Sequence, residues 1–383
     1  MNGEFTSLAE KIPALIPRCE DLRCVLGFDG TVDIICRAVR ERHGGGANFV
    51  PFEHIRDFGG HITNADGRSA LIEICRQQEK IGGNSPIMAN ALAASGLAID
   101  CIGTFGRPQI HAAYRGFVER VQVHSIAEPA ITHALEFDNG KIMLPELSSY
   151  ENVHADTLRE QVGAEVMRDL IKQSRLCCLL NWTCLPGMDS ILDWWLDEIL
   201  PGLPATDTGK RRIFFFDLAD PSSRSPGDLR GAMQRIGRFA SHGRCVLGMN
   251  FGETLLVCRT LGVDAPSPDA VSLQKALAEI RGRLGIHMVM GHPTDFAACA
   301  TAEDTWSMAG PYTPKPVITT GAGDHLNAGF CLGLLLDLTV AEALALGVLF
   351  SGFYVRHARP PALRELPDFI ARLACEIPAA PRT

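Results

Sequence analysis

Four residues late in the sequence have types and spacing suited to chemistry: Gly321, Ala322, Gly323 and Asp324, within VITTGAGDHLNAGF. A β-prone run leads into the Gly-Ala-Gly turn, and an apolar, helix-like stretch, AGFCLGLLLDL, follows it. The small residues admit a ligand close to the main chain. Their N–H groups would lie at a helix N-terminus, where unpaired donors and the helix dipole favour an anion. A carboxylate beside that anion does not serve it directly, because like charges repel; the useful role left for Asp324 is to accept a proton from a nucleophile. Together the four residues read as phosphoryl transfer, with Asp324 as base and the main chain of 321–323 as anion hole. A strand, a glycine turn and an Asp N-cap would also account for them locally, so context must decide.

That context starts at Ile81 to Gly106, IGGNSPIMANALAASGLAIDCIGTFG. Gly82, Gly83 and Asn84 open a helix that stops at Gly96, and the strand AIDCIGTF follows. Asn84 offers donor and acceptor together, and Gly83 lets main-chain groups come near a ligand. Helix capping explains these residues locally but not their pairing with GAGD. In this order the two motifs resemble the signatures of the ribokinase/PfkB family of carbohydrate kinases. The resemblance covers residues 23 to 357 or so, with 41–80 the least matched.

The resemblance implies roles for further residues. Asp33 in GFDGTVD matches the family's Asp that binds substrate hydroxyls, and Gly83 and Asn84 would contact the same sugar. NFGE resembles the family's NxxE motif, so Asn250 and Glu253 would join a Mg2+ and phosphate network, chiefly through water. The same two residues also fit a helix cap. Gly291 matches a glycine that approaches the nucleotide phosphates, and Ser351 and Gly352 would suit an adenine slot, although close helix packing explains them equally well. There are departures: GHPTDF lacks a second glycine, Ile318 stands where Asp or Asn is common, and Leu326 replaces a frequent Phe. The implied co-substrate is ATP, with ADP open, because GGNSPIMANAL also looks like ADP-dependent sugar kinases. A sugar- or nucleotide-binding regulatory protein on the same scaffold is the rival of another class; an intact GAGD with its base argues against it. The helix N-terminus is expected to lower the Asp324 pKa, leaving positioning more important than basicity.

The elements that must position these residues follow from pattern. Helix-like and continuously apolar strand-like stretches alternate from about residue 155 onward, which specifies a parallel sheet covered on both faces, with ligands at the carboxyl ends of its strands. TLREQVGAEVMRDLIKQ reads as one helix, and residues 69–80 read as helical after a long glycine-rich connector, HGGGANF to FGGHITNADGR. ITHALEFDNGKIML alternates about an Asn-Gly turn and reads as a hairpin. The expected fold is α/β, a three-layer ribokinase-like core with a mostly parallel sheet plus a small discontinuous β lid. The core would take 1–30, 81–128 and 148–383, and the lid 31–80 and 129–147.

Composition bounds the partners. With 36 Lys plus Arg against 44 Asp plus Glu, the formal charge is −8 and no basic field is available for a nucleic acid. The absence of a signal pattern, of a long apolar run and of paired CxxC spacing among the 13 cysteines points to a cytoplasmic protein with reduced thiols and no membrane partner. The partners expected are a sugar-like small molecule and a nucleotide, with a homodimer through the lid suggested by the resemblance.

Overall fold

The computed structural model describes residues 3–46, 48–204 and 211–376. Ala47 of the glycine-rich connector and the extreme ends of the expected core lie outside the described residues. The strands are β1 Arg23–Gly27, β2 Thr31–Arg42, β3 Phe49–Pro51, β4 Ile74–Gly82, β5 Ala98–Gly103, β6 Gln122–Ser125 and β7 Ala130–Phe137. They continue with β8 Gly140–Glu146, β9 Leu176–Leu180, β10 Ile213–Asp217, β11 Arg244–Asn250, β12 Met288–His292, β13 Phe296–Ala300 and β14 Thr305–Ala309.

Nine strands form one sheet in the order β14-β13-β12-β11-β10-β9-β1-β5-β6. All neighbours are parallel except in the β12-β13-β14 edge. The parallel strands are apolar throughout because alternate residues enter two cores: Leu176, Cys178 and Leu180 one, Cys177 and Leu179 the other. Helices Gly3–Cys19, Asn84–Ala93, Ala322–Leu335 and Val340–His357 cover the first face. Helices Ala164–Gln173, Pro226–Arg238 and Ala270–Leu284 are among those on the second. This is the three-layer α/β architecture expected from the alternation. Cysteines from Cys19 to Cys331 are free thiols, most of them buried.

The other five strands make a second sheet, β3-β2-β7-β8, with β4 also paired to β2. Its hairpin closes at the Asn-Gly turn, with Phe137 opposite Gly140. On one face Cys36, Ala38, Leu135 and Phe137 form a small core with Phe52 and with Phe58 from the helix Ile55–Thr63. The Phe58 ring lies 5.4 Å from Phe52 and 5.3 Å from Phe137.

Several local readings change. Residues 74–82 form a strand, not a helix, paired with β2 from Thr31↔Gly82 to Ala38↔Ile74; a short stretch gains little from helix propensity, and the ladder decides. The helix of this segment instead spans Gly59 and Gly60. The expected single helix after residue 155 breaks at Gly163 (φ 88°) into Ala155–Gln161 and Ala164–Gln173. No strand runs over residues 310–320 directly before Gly321: Val317 is exposed, and its N–H donates to Val355 O on the neighbouring helix. The antiparallel edge β13-β14 was not anticipated.

Candidate active site

The first glycine motif is anchored on a buried carboxylate and from there reaches the second. Asp29 accepts the backbone N–H groups of Asn84 (2.8 Å) and Ser85 (2.9 Å), and Asn181 Nδ2 at 2.8 Å. It thereby satisfies orphan donors at the start of the helix Asn84–Ala93 from a distant part of the chain. Gly83 has φ 90°, and a Cβ there would lie 2.7 Å from Asp29 Oδ2; a Cβ on Gly82 would overlap the Asp33 carboxylate. The Gly-Gly pair is therefore required by the carboxylates beside it. Asn84 Nδ2 then donates to Asp324 Oδ1 at 3.0 Å, linking positions 240 residues apart.

Asp324 is half-buried in the first turn of the helix Ala322–Leu335, which follows Gly321 at φ 90°. Burial, followed by the nearby Asp217 and Asp29 carboxylates, pushes its pKa well above the ordinary carboxylate range, while the Asn84 bond opposes this. The expected lowering by the helix terminus is overridden, because desolvation and like charges outweigh a partial dipole charge. The turn itself is pinned. His325 Nδ1 donates to Gly321 O at 2.7 Å, and its ring stacks 3.6 Å from Tyr354, whose hydroxyl donates to Thr320 O at 2.8 Å. Burial takes the His325 pKa to about 4, so the ring is neutral. Of the three expected anion-hole donors, the Ala322 N–H already bonds Thr319 O at 3.1 Å.

On one side of this turn lies a cavity of about 730 Å3, within the range of nucleotide-sized ligands. Asn250, His292, Thr319, Gly323, Ser351 and Gly352 are among its walls, and among the described residues no Lys or Arg lines it. A Cβ on Gly323 would lie 3.2 Å from the His292 ring. Gly352 also makes room for Pro311, which packs on it. Gly291 is not in the wall: its missing side chain faces Leu273 and Leu277, so the residue serves helix packing and leaves His292 to face the cavity. Asn250 and Glu253 form a complete capping box, with Glu253 accepting from Asn250 N (2.8 Å) and Nδ2 (2.6 Å).

On the other side the second sheet presents its polar face. Asp33, 4% exposed, lies opposite Lys80 and Thr132 in the ladders. Burial raises its pKa, and Lys80 and Lys141 pull it down. Lys141 Nζ lies 3.5 Å from Thr319 Oγ1, so this face looks onto the GAGD turn. Its own pKa is lowered by burial and by Lys80.

Residues 3–372 match the model of the prokaryotic ketohexokinase family. The chain belongs to that family. It is thus a carbohydrate kinase, a phosphotransferase that acts on a sugar hydroxyl. A ketohexokinase of Haloferax volcanii is 26% identical over 368 residues, covering 95% of this chain and 94% of that protein. Among solved structures, adenosine kinase from Sinorhizobium meliloti matches with a TM-score of 0.63 at 16% identity, over 93% of this chain and 99% of its own. Arabidopsis thaliana ribokinase complexed with ribose and ATP matches with a TM-score of 0.60 at 14% identity, over 92% and 98%. These two likenesses establish the ribokinase-like fold.

Several residues of this prokaryotic ketohexokinase-family site escape a reading of the sequence. Asp29 reads as half of an Asp-Gly turn, yet its buried carboxylate ties the Gly-Gly-Asn turn to Asn181 after β9. Lys80 falls in the stretch read as helical and Lys141 in the hairpin, and only the pairing of the strands brings them near Asp33. His325 and His292 carry no spacing signal. The run of Gly, Asp and His after the apolar strands was the available hint.

Proposed function

We propose that this protein transfers the γ-phosphoryl group of ATP to a hydroxyl of a ketohexose. The observation that carries the reading is the Asn84–Asp324 hydrogen bond, which joins the two motifs where the nucleotide-sized cavity meets the polar face of the second sheet. A sugar held there by Asp33, Gly83 and Asn84 presents one hydroxyl to Asp324. That carboxylate accepts the proton as the sugar oxygen bonds to the γ-phosphorus and the bond to the bridging oxygen of ADP breaks. A carboxyl held above its ordinary range is better matched to this task near neutral pH than an unperturbed one. Free N–H groups of the 321–323 turn stabilise charge on the phosphoryl oxygens, and the carbonyl ties through His325 and Tyr354 keep the turn in place. Ser351 and Gly352 wall the nucleotide's part of the cavity.

Mg2+ fits as an ion held through water. Among the described residues no group of three His, Cys, Asp or Glu could ligate a metal directly. Burial and the carboxylates of Asp217, Asp220 and Asp324 all raise the Glu253 pKa, and among the described residues no Lys or Arg lines the cavity, so a cation brought in with the nucleotide relieves that repulsion. Asn250 and Glu253 would hold it through its waters. When bound, it supplies positive charge to the phosphate oxygens.

The test is a phosphoryl-transfer screen with Mg2+, ATP or ADP, and a panel of ketohexoses, aldohexoses, pentoses and nucleosides, run beside Asp324→Ala. Turnover that needs ATP, a ketohexose and Asp324 is the expected result. Preference for ADP would change the donor, another acceptor would change the sugar, and binding without turnover would make the protein a sensor on this scaffold.

A further inference from the structure

We propose that the amino end of the nine-stranded sheet carries a second anion site, a notch that binds a phosphate group, either as inorganic phosphate or on a monoester. The notch, of about 240 Å3, is lined by Arg244, Arg281, His287, Thr301 and Glu303. Arg244 opens β11 and His287 directly precedes β12, whereas the far ends of these strands, Asn250 and His292, wall the nucleotide-sized cavity. The intervening strand separates the two sites by roughly 20 Å. The inference does not depend on the reaction assigned to that cavity.

Three observations point to an anion. Arg244 is half-buried, and among the described residues its guanidinium makes no hydrogen bond or ion pair; burial, the largest influence, makes its charge costly to hold. His287 Nδ1 accepts the Cys245 backbone N–H at 3.2 Å, which leaves the ring proton on Nε2. That nitrogen faces Arg211 Nη1 at 3.5 Å, so two donors stand opposite one another and call for an acceptor. Arg281 reaches Ile286 O at 3.3 Å through Nη1, but its Nε is buried without a partner. Burial and the three arginines hold the His287 pKa below its ordinary value, so positive charge clusters at the ring, with Glu303 and Asp337 offsetting part of it at Arg244. The one acid in the wall, Glu303, is exposed and accepts from Thr301 Oγ1 at 2.8 Å.

An oxyanion with several acceptor oxygens answers the Arg244, Arg281 and His287 donors that line the notch, and guanidinium groups favour phosphate through paired N–H bonds. The notch is smaller than the usual drug- or nucleotide-sized pocket, which suits a phosphate or a small monoester.

The experiment follows the His287 ring signals by NMR in the full chain, with the large cavity saturated by a non-hydrolysable ATP analogue and ketohexose. Inorganic phosphate and a ketohexose phosphate are titrated separately. The expected result is a saturable shift at His287, with the midpoint weakened about tenfold or more in Arg244→Gln, as for loss of charged hydrogen bonds. Arg244→Lys, which keeps the charge and loses the fork, should fall between, and both variants should keep their turnover in the absence of phosphate. The tighter of the two probes identifies the source of the phosphate group. If Arg244→Gln does not fold, Arg244→Lys and Arg281→Gln carry the comparison. A shift that grows without saturating, or midpoints unchanged in every folded variant, overturns the site.

Discussion

The two sheets divide labour by how many of their faces are committed. The nine-stranded sheet is buried on both faces, and alternate residues of each central strand lock it between two helical layers. The five-stranded sheet is committed on one face only, where Phe52, Phe58 and Phe137 form a separate core that belongs to the sheet itself. Its other face carries Asp33, Lys80, Thr132 and Lys141, the polar face proposed to meet the sugar. The two cores are not sealed from each other: Val32 of β2 belongs to the main core, and Ile34 packs against both. The helix Ile55–Thr63 in the insertion before β4 supplies Phe58 to the small core.

The comparison can be broken most directly at Phe58. Phe58→Ala should remove roughly 3 kcal/mol from the lid core, by lost burial and the cavity left behind. Amide exchange should then quicken in β2, β7 and β8 and stay slow in β9 to β11; equal loss in both sheets would mean that they are one cooperative unit. Asp324→Ala, on the rigid side, should lower kcat at least ~100-fold with nucleotide binding retained, the scale of a lost general base. Wild-type turnover in that variant would remove Asp324 from the mechanism. Asp33→Asn, on the lid side, should act mainly through KM for the sugar, about tenfold, with the nucleotide KM unchanged. A matching change in the nucleotide KM would show that Asp33 serves both substrates.

The smallest effect concerns pH. The raised Asp324 pKa means that the folded chain keeps this proton to a higher pH than the unfolded chain does. Its contribution to stability therefore declines as pH rises from the ordinary carboxylate value to the raised one, and is level beyond it. Asp324→Asn should melt at a higher temperature than wild type at neutral pH, with the difference vanishing below roughly pH 4. In the wild type kcat/KM should rise with pH through the same raised value. A profile flat down to the ordinary carboxylate range would place the carboxyl in a more solvated setting.

What could be read from sequence had a local cause. The continuous apolar runs of β9 to β11 mark buried parallel strands, and the Asn-Gly turn marks the hairpin β7-β8. The stretch that became β4 misled, because its residues carry no period strong enough to choose between helix and strand until β2 offers a ladder. Gly291 misled differently: a glycine is needed there, but for Leu273 and Leu277 and not for a phosphate.

The sequence by itself determined the layered α/β fold and the pair of glycine motifs, because period, turn chemistry and small residues act over a few neighbours. Tertiary structure alone decided that Asp29 would anchor the Gly-Gly-Asn turn, that Asn84 would join it to Asp324 and that Lys80 and Lys141 would act on Asp33. It also decided that Asp324 would sit above the usual carboxylate range. Charge, burial and hydrogen bonding between residues far apart in the chain exist only once the strands have chosen their neighbours.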